Sequence, residues 1–168
     1  MNNIKEMKLY SDAYRIFKDL KALGYEEDDR LSLEDVNQFD QLHYHGTLSV
    51  QEAIETINIQ ENDNVLEVGA GWGGPSRYIA YKTRAHVSAL ELQQDYSEVG
   101  KELTLRTGLQ RFVTHINQDF LNFSQKSACF NKIVSWLALY HIPNRKKYTA
   151  KLFNLLNKNG MLFIEDLT

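Results

Sequence analysis

The feature that most constrains the fold is a glycine-rich turn inside residues 65–80, VLEVGAGWGGPSRYIA. The apolar residues before the turn predict a parallel strand that is covered on both faces. The glycines have GxGxG spacing, at Gly69, Gly71 and Gly73. Such a turn lets the chain reverse sharply and lets a ligand approach the backbone. Pro75 suits the first position of a helix, so the run predicts a strand, a ligand-binding turn and a helix in succession.

Glu67 lies two residues before the first glycine, at the carboxyl end of the predicted strand. A carboxylate here would repel a diphosphate, but it suits a ligand that carries a cationic amino group. An acidic residue followed by GxGxG resembles the first motif of the class I S-adenosylmethionine-dependent methyltransferases, whose cofactor carries an ammonium and a sulfonium. The resemblance implies that Glu67 lies beneath the methionine end of S-adenosylmethionine, while the glycine backbone lets the cofactor approach.

Two further acidic residues follow predicted strands. Glu91 ends an apolar strand over residues 85–92, eighteen residues after Gly73, close to the spacing at which a carboxylate accepts hydrogen bonds from ribose hydroxyls. Asp119 follows a third strand near residues 112–116, and the resemblance implies that it binds the adenine amino group. Because ligands of open α/β sheets bind at the carboxyl edge, these residues and Glu67 are predicted to form one site.

Composition excludes several other classes of function. The chain has 168 residues, of which 43% are apolar, enough for one domain with a buried core. A net charge of −3 gives no basic field for nucleic acid. The longest apolar run, residues 133–142, is too short to cross a bilayer, so no membrane span is expected. The single cysteine, Cys129, has no internal disulfide partner, which favours an intracellular and cytoplasmic location.

The predicted fold class is α/β, a Rossmann-like doubly wound sheet with N-terminal helices. Residues 1–58 are interpreted as a helical cap, with an amphipathic helix over residues 4–23, a helix capped by Ser32 and a capping box at residues 49–52. Residues 59–168 are interpreted as the cofactor-binding core. Its fourth strand covers residues 131–136, and its fifth covers residues 161–166 after an Asn159-Gly160 turn.

Within the class, the glycine turn, QLHYHGTLS before it and SWLALYHIP after the fourth strand resemble the N-methyltransferases of the sarcosine/dimethylglycine and phosphoethanolamine type. The resemblance covers residue 40 to the end and implies a small amine substrate, glycine- or choline-like. It implies that Tyr44 covers the cofactor's methionine end. Trp136 and Tyr140 follow the fourth strand at the same edge as the three acidic residues, so we expect both to border the methyl-transfer site, with Trp136 at the cofactor. Four rings are candidates either for an aromatic cage or for core packing: Tyr44, Trp72, Trp136 and Tyr140.

Tyr140 and His141 are the candidate catalytic residues, since His141 could orient the substrate or take its proton. His43 and His45 are spaced as metal ligands could be, but no third ligand lies close in the sequence, and no metal is expected.

The family's sheet has seven strands and this chain supplies five, so the chain is expected to be truncated after the fifth strand. The alternative to an enzyme is therefore a non-catalytic, methyltransferase-like module in a larger assembly. The fifth strand is apolar, and we expect another chain to cover its edge over residues 161–167.

Overall fold

The computed structural model describes residues 11–167, which form six α-helices, five β-strands and a short 3₁₀ helix. The N-terminal helices are α1 (Arg15–Ala22), α2 (Leu33–Val36) and α3 (Thr47–Thr56). The alternating part is β1 (Asn64–Val68), α4 (Gly74–Thr83), β2 (His86–Glu91), α5 (Gln94–Arg106) and β3 (Val113–Asn117). The last elements are β4 (Phe130–Trp136), the 3₁₀ helix (Leu139–His141), α6 (Arg145–Leu155) and β5 (Leu156–Glu165).

All strand pairs are parallel, and the sheet order is β3-β2-β1-β4-β5. The chain therefore moves outward from β1 to one edge, returns to β4 beside β1, and moves outward to the other edge. This is the predicted Rossmann-like, doubly wound arrangement. Loops from the two halves part at the carboxyl ends of β1 and β4, and that switch point is where such sheets form a ligand cleft.

Alternate residues of the central strands pack on opposite faces of the sheet, as the pleat requires. Val65 and Val87 pack with α3 and α4 on one face. Leu66 and Ile133 pack with α6 on the other face. Because both faces are covered, the strands are apolar almost throughout, which is why the sequence pattern identified them.

Trp72 belongs to the core and not to an aromatic cage. Its ring stacks on Tyr96 with centroids 5.1 Å apart, and its indole nitrogen donates to the carbonyl of Ala13 over 2.9 Å. The cluster around it includes Ile16 and Leu20 of α1. The helix predicted over residues 4–23 is thus observed only as Arg15–Ala22, while Ile4 and Met7 lie outside the described residues.

Three local predictions met different outcomes. Ser32 caps α2 as predicted, its hydroxyl accepting from the backbone N–H of Asp35. The capping box at Ser49 is wrong, because α3 begins at Thr47 after Gly46 and Ser49 lies inside the helix. The turn at residues 159–160 is also wrong, because β5 begins directly after α6 and pairs with β4 through a register shift near Phe130.

No helix within residues 11–167 combines the length and the apolar character that a membrane span requires.

Candidate functional site

A cavity opens at the carboxyl edge of the sheet, between the glycine turn and the loops that follow β2, β3 and β4. Its lining comes from five segments of the chain, within residues 40–43, 67–75, 90–96, 118–120 and 136–143: Asp40, Leu42, His43, Glu67, Val68, Gly69, Ala70, Gly71, Pro75, Leu90, Glu91, Leu92, Gln93, Tyr96, Gln118, Asp119, Phe120, Trp136, Leu137, Ala138, His141, Ile142 and Pro143. The three acidic residues predicted from the strand ends therefore lie around one cavity.

The glycine turn is needed for two different reasons. Gly69 and Gly71 line the cavity with φ angles of 78° and 53°, a conformation that other residues rarely adopt. A Cβ on Gly69 would lie 2.2 Å from the Cβ of Ala138, so the turn and the loop after β4 are in direct contact. Gly73 is not among the residues that line the cavity. A Cβ there would lie 2.6 Å from the ring of His115. Its absence of a side chain serves packing against β3.

Glu67 is the most deeply buried of the three predicted acids, with 2% of its surface exposed. The hydroxyl of Ser76, in the first turn of α4, donates to its carboxylate. Burial raises the pKa of Glu67 to about 8, and the Ser76 hydrogen bond opposes that effect only in part. The side chain therefore holds a proton near neutral pH until a cationic ligand favours its ionised form.

Glu91 fastens the glycine turn to the end of β2. One carboxylate oxygen accepts from the N–H of Gly71 over 2.8 Å, and the other accepts from the N–H of Gln93 over 2.8 Å. Burial raises the pKa of Glu91, while these backbone bonds act in the opposite direction. A carboxylate offers about four acceptor positions, so Glu91 can also accept from a ligand hydroxyl.

Asp119 lies just after β3, where its carboxylate accepts from the N–H of Leu121 and the side chain of Asn122. Phe120 follows it, is almost fully buried and lines the same cavity. An acidic group thus lies beside an apolar ring, which suits a flat heterocycle with an amino group.

The residues before α3, numbers 40–46, form a cap segment over the other end of the cavity. His43 lines the cavity, whereas Tyr44 does not and has 59% of its surface exposed. The rings of His43 and Trp136 stack, with centroids 5.5 Å apart. The two ring nitrogens of His43 lie 3.0 Å from the side-chain oxygen of Gln41 and 2.9 Å from the carbonyl of Tyr44. No pattern in the sequence indicates which loop side chain faces inward, so sequence reasoning missed the position of His43 in the lining.

In the segment after β4, Trp136 and His141 line the cavity. Burial lowers the pKa of His141, which favours its neutral form, although Asp166 acts in the opposite direction. Tyr140 is not part of the lining and has 42% of its surface exposed, while its ring lies against His141 with centroids 3.7 Å apart. Trp136 and His141 thus reach the predicted site, while Tyr140 points away from it.

Among residues 11–167, no group of three histidine, cysteine or acidic side chains is placed to hold a metal ion.

A buried ion pair that sequence reasoning missed joins the cap segment to α4. Arg77 and Asp40 have fully buried side chains, 2.8 Å apart. Arg77 also donates to the carbonyls of Trp72 and Gly100 and to the hydroxyl of Thr104. In the sequence, an arginine in a helix gives no sign that it faces the core.

Residues 36–168 match the family model described as mycolic acid cyclopropane synthetase. The methyltransferase GfsG of Streptomyces halstedii is 25% identical over 133 residues, which cover 79% of this chain and 48% of that protein. A sterol 24-C-methyltransferase of Eremothecium gossypii is 32% identical over 107 residues, covering 63% of this chain and 28% of that protein. The chain thus spans less than half the length of these two relatives.

The fold also matches solved structures. A putative sarcosine dimethylglycine methyltransferase from Galdieria sulphuraria superimposes with a TM-score of 0.69 at 19% identity. The match covers 93% of this chain and 60% of that one. At this identity the likeness concerns the fold, and it includes the N-terminal helices as well as the sheet.

Proposed function

The chain belongs to the mycolic acid cyclopropane synthetase family of class I S-adenosylmethionine-dependent methyltransferases, and from that premise we propose that it transfers a methyl group from S-adenosylmethionine to a small-molecule amine. The observation that carries the proposal is the meeting of Glu67, Glu91 and Asp119 around one cavity beside the glycine turn. S-adenosylmethionine supplies an electrophilic methyl group on its sulfonium.

In this proposal, different residues of the cavity bind different parts of the cofactor. Glu67 holds the ammonium, and the backbone of Gly69 and Gly71 gives the cofactor room to approach. Glu91 accepts from the ribose hydroxyls with its free lone pairs. Asp119 binds the adenine amino group. Leu90 and Phe120, both nearly fully buried, offer apolar surface to the ring and keep water from it.

The amine acceptor belongs at the end of the cavity formed by His43, Trp136 and His141. An amine must be neutral to attack the methyl group, and a neutral His141 can take the proton that the amine gives up. Proximity and alignment in a dry site supply most of the rate. The amine is favoured by the narrower sequence resemblance and by the name of the Galdieria neighbour, while the sterol relative supports a different acceptor.

Calorimetric titration with S-adenosylmethionine and S-adenosylhomocysteine tests the cofactor part. We expect both to bind, and absence of heat with either ligand would contradict it. Transfer of a radiolabelled methyl group to glycine, sarcosine, dimethylglycine, phosphoethanolamine or a sterol tests the acceptor. Label on an amine supports the proposal, whereas label only on the sterol overturns its amine part.

A non-catalytic module in a larger assembly is the second candidate, favoured by the edge strand β5. Met161 and Ile164 on this strand are 39% and 43% exposed, and within the described residues β5 pairs only with β4. In this candidate another chain covers the edge. Sedimentation at micromolar concentration distinguishes the cases, because a monodisperse monomer contradicts a required partner and defined oligomers support one.

A further inference from the structure

The indole of Trp136 is fixed at the cavity by its neighbours. Its ring packs against His43 and against Phe163, with centroid distances of 5.5 Å and 5.8 Å. Its N–H donates to the hydroxyl of Ser49 over 2.9 Å. Because the ring and its one polar atom are both engaged, Trp136 presents a defined surface to the cavity.

The hydrogen bonds beyond Trp136 have a direction that chemistry dictates. An indole N–H can only donate, so the Ser49 oxygen must accept from Trp136. The single proton of Ser49 is then free for Glu165, whose carboxylate accepts it over 2.5 Å. Trp136, Ser49 and Glu165 therefore form a relay in which each group has one role, and we call it the indole relay.

The carboxylate of Glu165 is only partly satisfied by hydrogen bonds, which is unfavourable for stability. Its second carboxylate oxygen is buried and has no hydrogen-bond partner among residues 11–167. A buried carboxylate oxygen without a partner costs free energy, and an apolar side chain of similar length would avoid that cost. The carboxylate is better explained by the orientation that it imposes on Ser49 than by its contribution to folding.

The indole relay joins three elements that are distant in the sequence: α3, the end of β4 and the end of β5. Because α3 follows the cap segment directly, Ser49 fixes the end of the cap segment that leads into the helix. The buried pair of Asp40 and Arg77 fixes the other end. Burial lowers the pKa of His43, and the negative charge of Glu165 opposes that effect in part.

We propose that Ser49 and Glu165 are positioning residues for the transfer end of the cavity, the end formed by His43, Trp136 and His141. They hold Trp136, and through its ring His43, in the orientation that closes the cavity around the methionine end of S-adenosylmethionine. The inference rests on the proposed function, because it assigns the relay to the same cofactor. Neither residue lines the cavity, so neither contacts the reacting atoms.

The first test reads the relay without any ligand. The chain has two tryptophans, so a proton–nitrogen correlation spectrum of the labelled protein shows two indole N–H signals. Replacing Trp136 with Phe identifies its signal by loss. We expect Ser49→Ala to move that signal upfield, because the indole loses its acceptor. The indole N–H of Trp72 donates to the carbonyl of Ala13 instead. Its signal should not move in Ser49→Ala and serves as an internal control.

The second test separates positioning from folding, with S-adenosylhomocysteine as the probe. Loss of one hydrogen bond predicts that Ser49→Ala and Glu165→Met each weaken its binding by about threefold to tenfold. Glu165→Met removes the unpaired carboxylate, so its thermal midpoint stays equal or rises. Glu165→Gln keeps an acceptor for Ser49 and is expected to bind nearly as well as the parent. Ser88→Ala is the matched control, a half-buried serine on β2 outside the cavity.

The outcomes divide cleanly. Weaker binding in Glu165→Met at an undiminished thermal midpoint, together with the shifted indole signal in Ser49→Ala, supports the positioning role. Unchanged affinity in both variants, an unmoved Trp136 signal, or an affinity loss that only follows a loss of stability overturns it. If the parent protein does not bind S-adenosylhomocysteine at all, the proposed function fails first and the relay loses its assigned role with it.

Discussion

The two ends of the cavity are built in different ways. One end, which we call the adenosyl end after its proposed role, is formed by Glu67, Gly69, Gly71, Glu91 and Asp119. Its contacts are largely bonds to main-chain groups, such as those from Gly71 and Gln93 to Glu91. The transfer end is formed by His43, Trp136 and His141, and Trp136 is held there by side chains of the cap segment, α3 and β5. There the indole of Trp136 depends on Ser49, 87 positions away in the chain.

One end of the cavity therefore depends mainly on the fold, and the other depends mainly on the identity of its side chains. Main-chain geometry at a parallel sheet edge follows from the fold, so the adenosyl end would form in any chain that makes this turn. Side-chain packing at the transfer end depends on each residue's identity, which is where acceptor choice can vary between relatives. Arg77 connects the surroundings of the two ends, since it pairs with Asp40 of the cap segment and donates to the carbonyl of Trp72 in the glycine turn.

The largest expected effect comes from separating the two ends at Arg77. Replacing Arg77 with Met leaves Asp40 buried and unpaired, which predicts a loss of about 3–5 kcal/mol in the free energy of unfolding. Urea denaturation measures it. Arg111→Met, at an exposed arginine, is the control and should change stability by less than about 0.5 kcal/mol. Adding Asp40→Asn to Arg77→Met should recover part of the loss, and failure to recover any would contradict the ion-pair explanation.

Next in size is the contact between Gly69 and the loop after β4. An alanine at Gly69 would place its Cβ 2.2 Å from that of Ala138 at a φ of 78°, which predicts a loss of about 2–4 kcal/mol. An alanine at Gly71 meets only the flexible end of Leu42 at 3.0 Å and should lose about 1–2 kcal/mol from its backbone conformation. Thermal denaturation measures both losses of stability. Equal losses in the two variants would show that the glycine turn and the loop after β4 are not in the contact described.

The third effect concerns pH and the adenosyl end alone. The folded-state pKa of Glu67, about 8, lies above its ordinary value, so the folded state binds more protons and stability falls as pH rises toward 8. The change between pH 5 and pH 7 is on the order of 2 kcal/mol. Glu67→Gln should remove the contribution of Glu67 to this slope. Parallel pH profiles of the two proteins in denaturant titrations would contradict a buried, protonated Glu67.

Cofactor binding gives the same group a second signature. A cationic ligand favours ionised Glu67, so binding of S-adenosylmethionine near pH 7 should release protons. Titration calorimetry in two buffers of different ionisation enthalpy measures the number released. Glu67→Gln should reduce that number, and an unchanged number would assign the proton to another group.

The smallest expected effects fall on Tyr44 and Tyr140, which the sequence placed at the transfer end. Both rings are exposed and neither lines the cavity. Replacing either with Ala should change the free energy of unfolding by less than about 0.5 kcal/mol and leave affinity for S-adenosylhomocysteine unchanged. A marked loss of affinity in Tyr44→Ala would show that the cap segment turns this ring inward when the cavity is filled.

The sequence by itself determined the order of strands and helices after residue 58 and the position of the adenosyl end. Those features depend on short-range patterns: an apolar run predicts a covered strand, and a glycine turn after Glu67 predicts close approach of a ligand. The spacing after Gly73 predicts the role of Glu91, and the family resemblance implies that of Asp119. The structure adds that all three acids line the same cavity.

Only the tertiary structure decided which residues of two loops face the cavity. His43 turns inward while Tyr44 turns outward, and His141 lines the cavity while Tyr140 does not. Loop side chains have no period from which a face can be read, and their directions depend on contacts with distant residues. The same is true of Ser49, which has the pattern of a helix cap but binds Trp136 and Glu165 instead, because those partners are brought to it only when the sheet and α3 pack together.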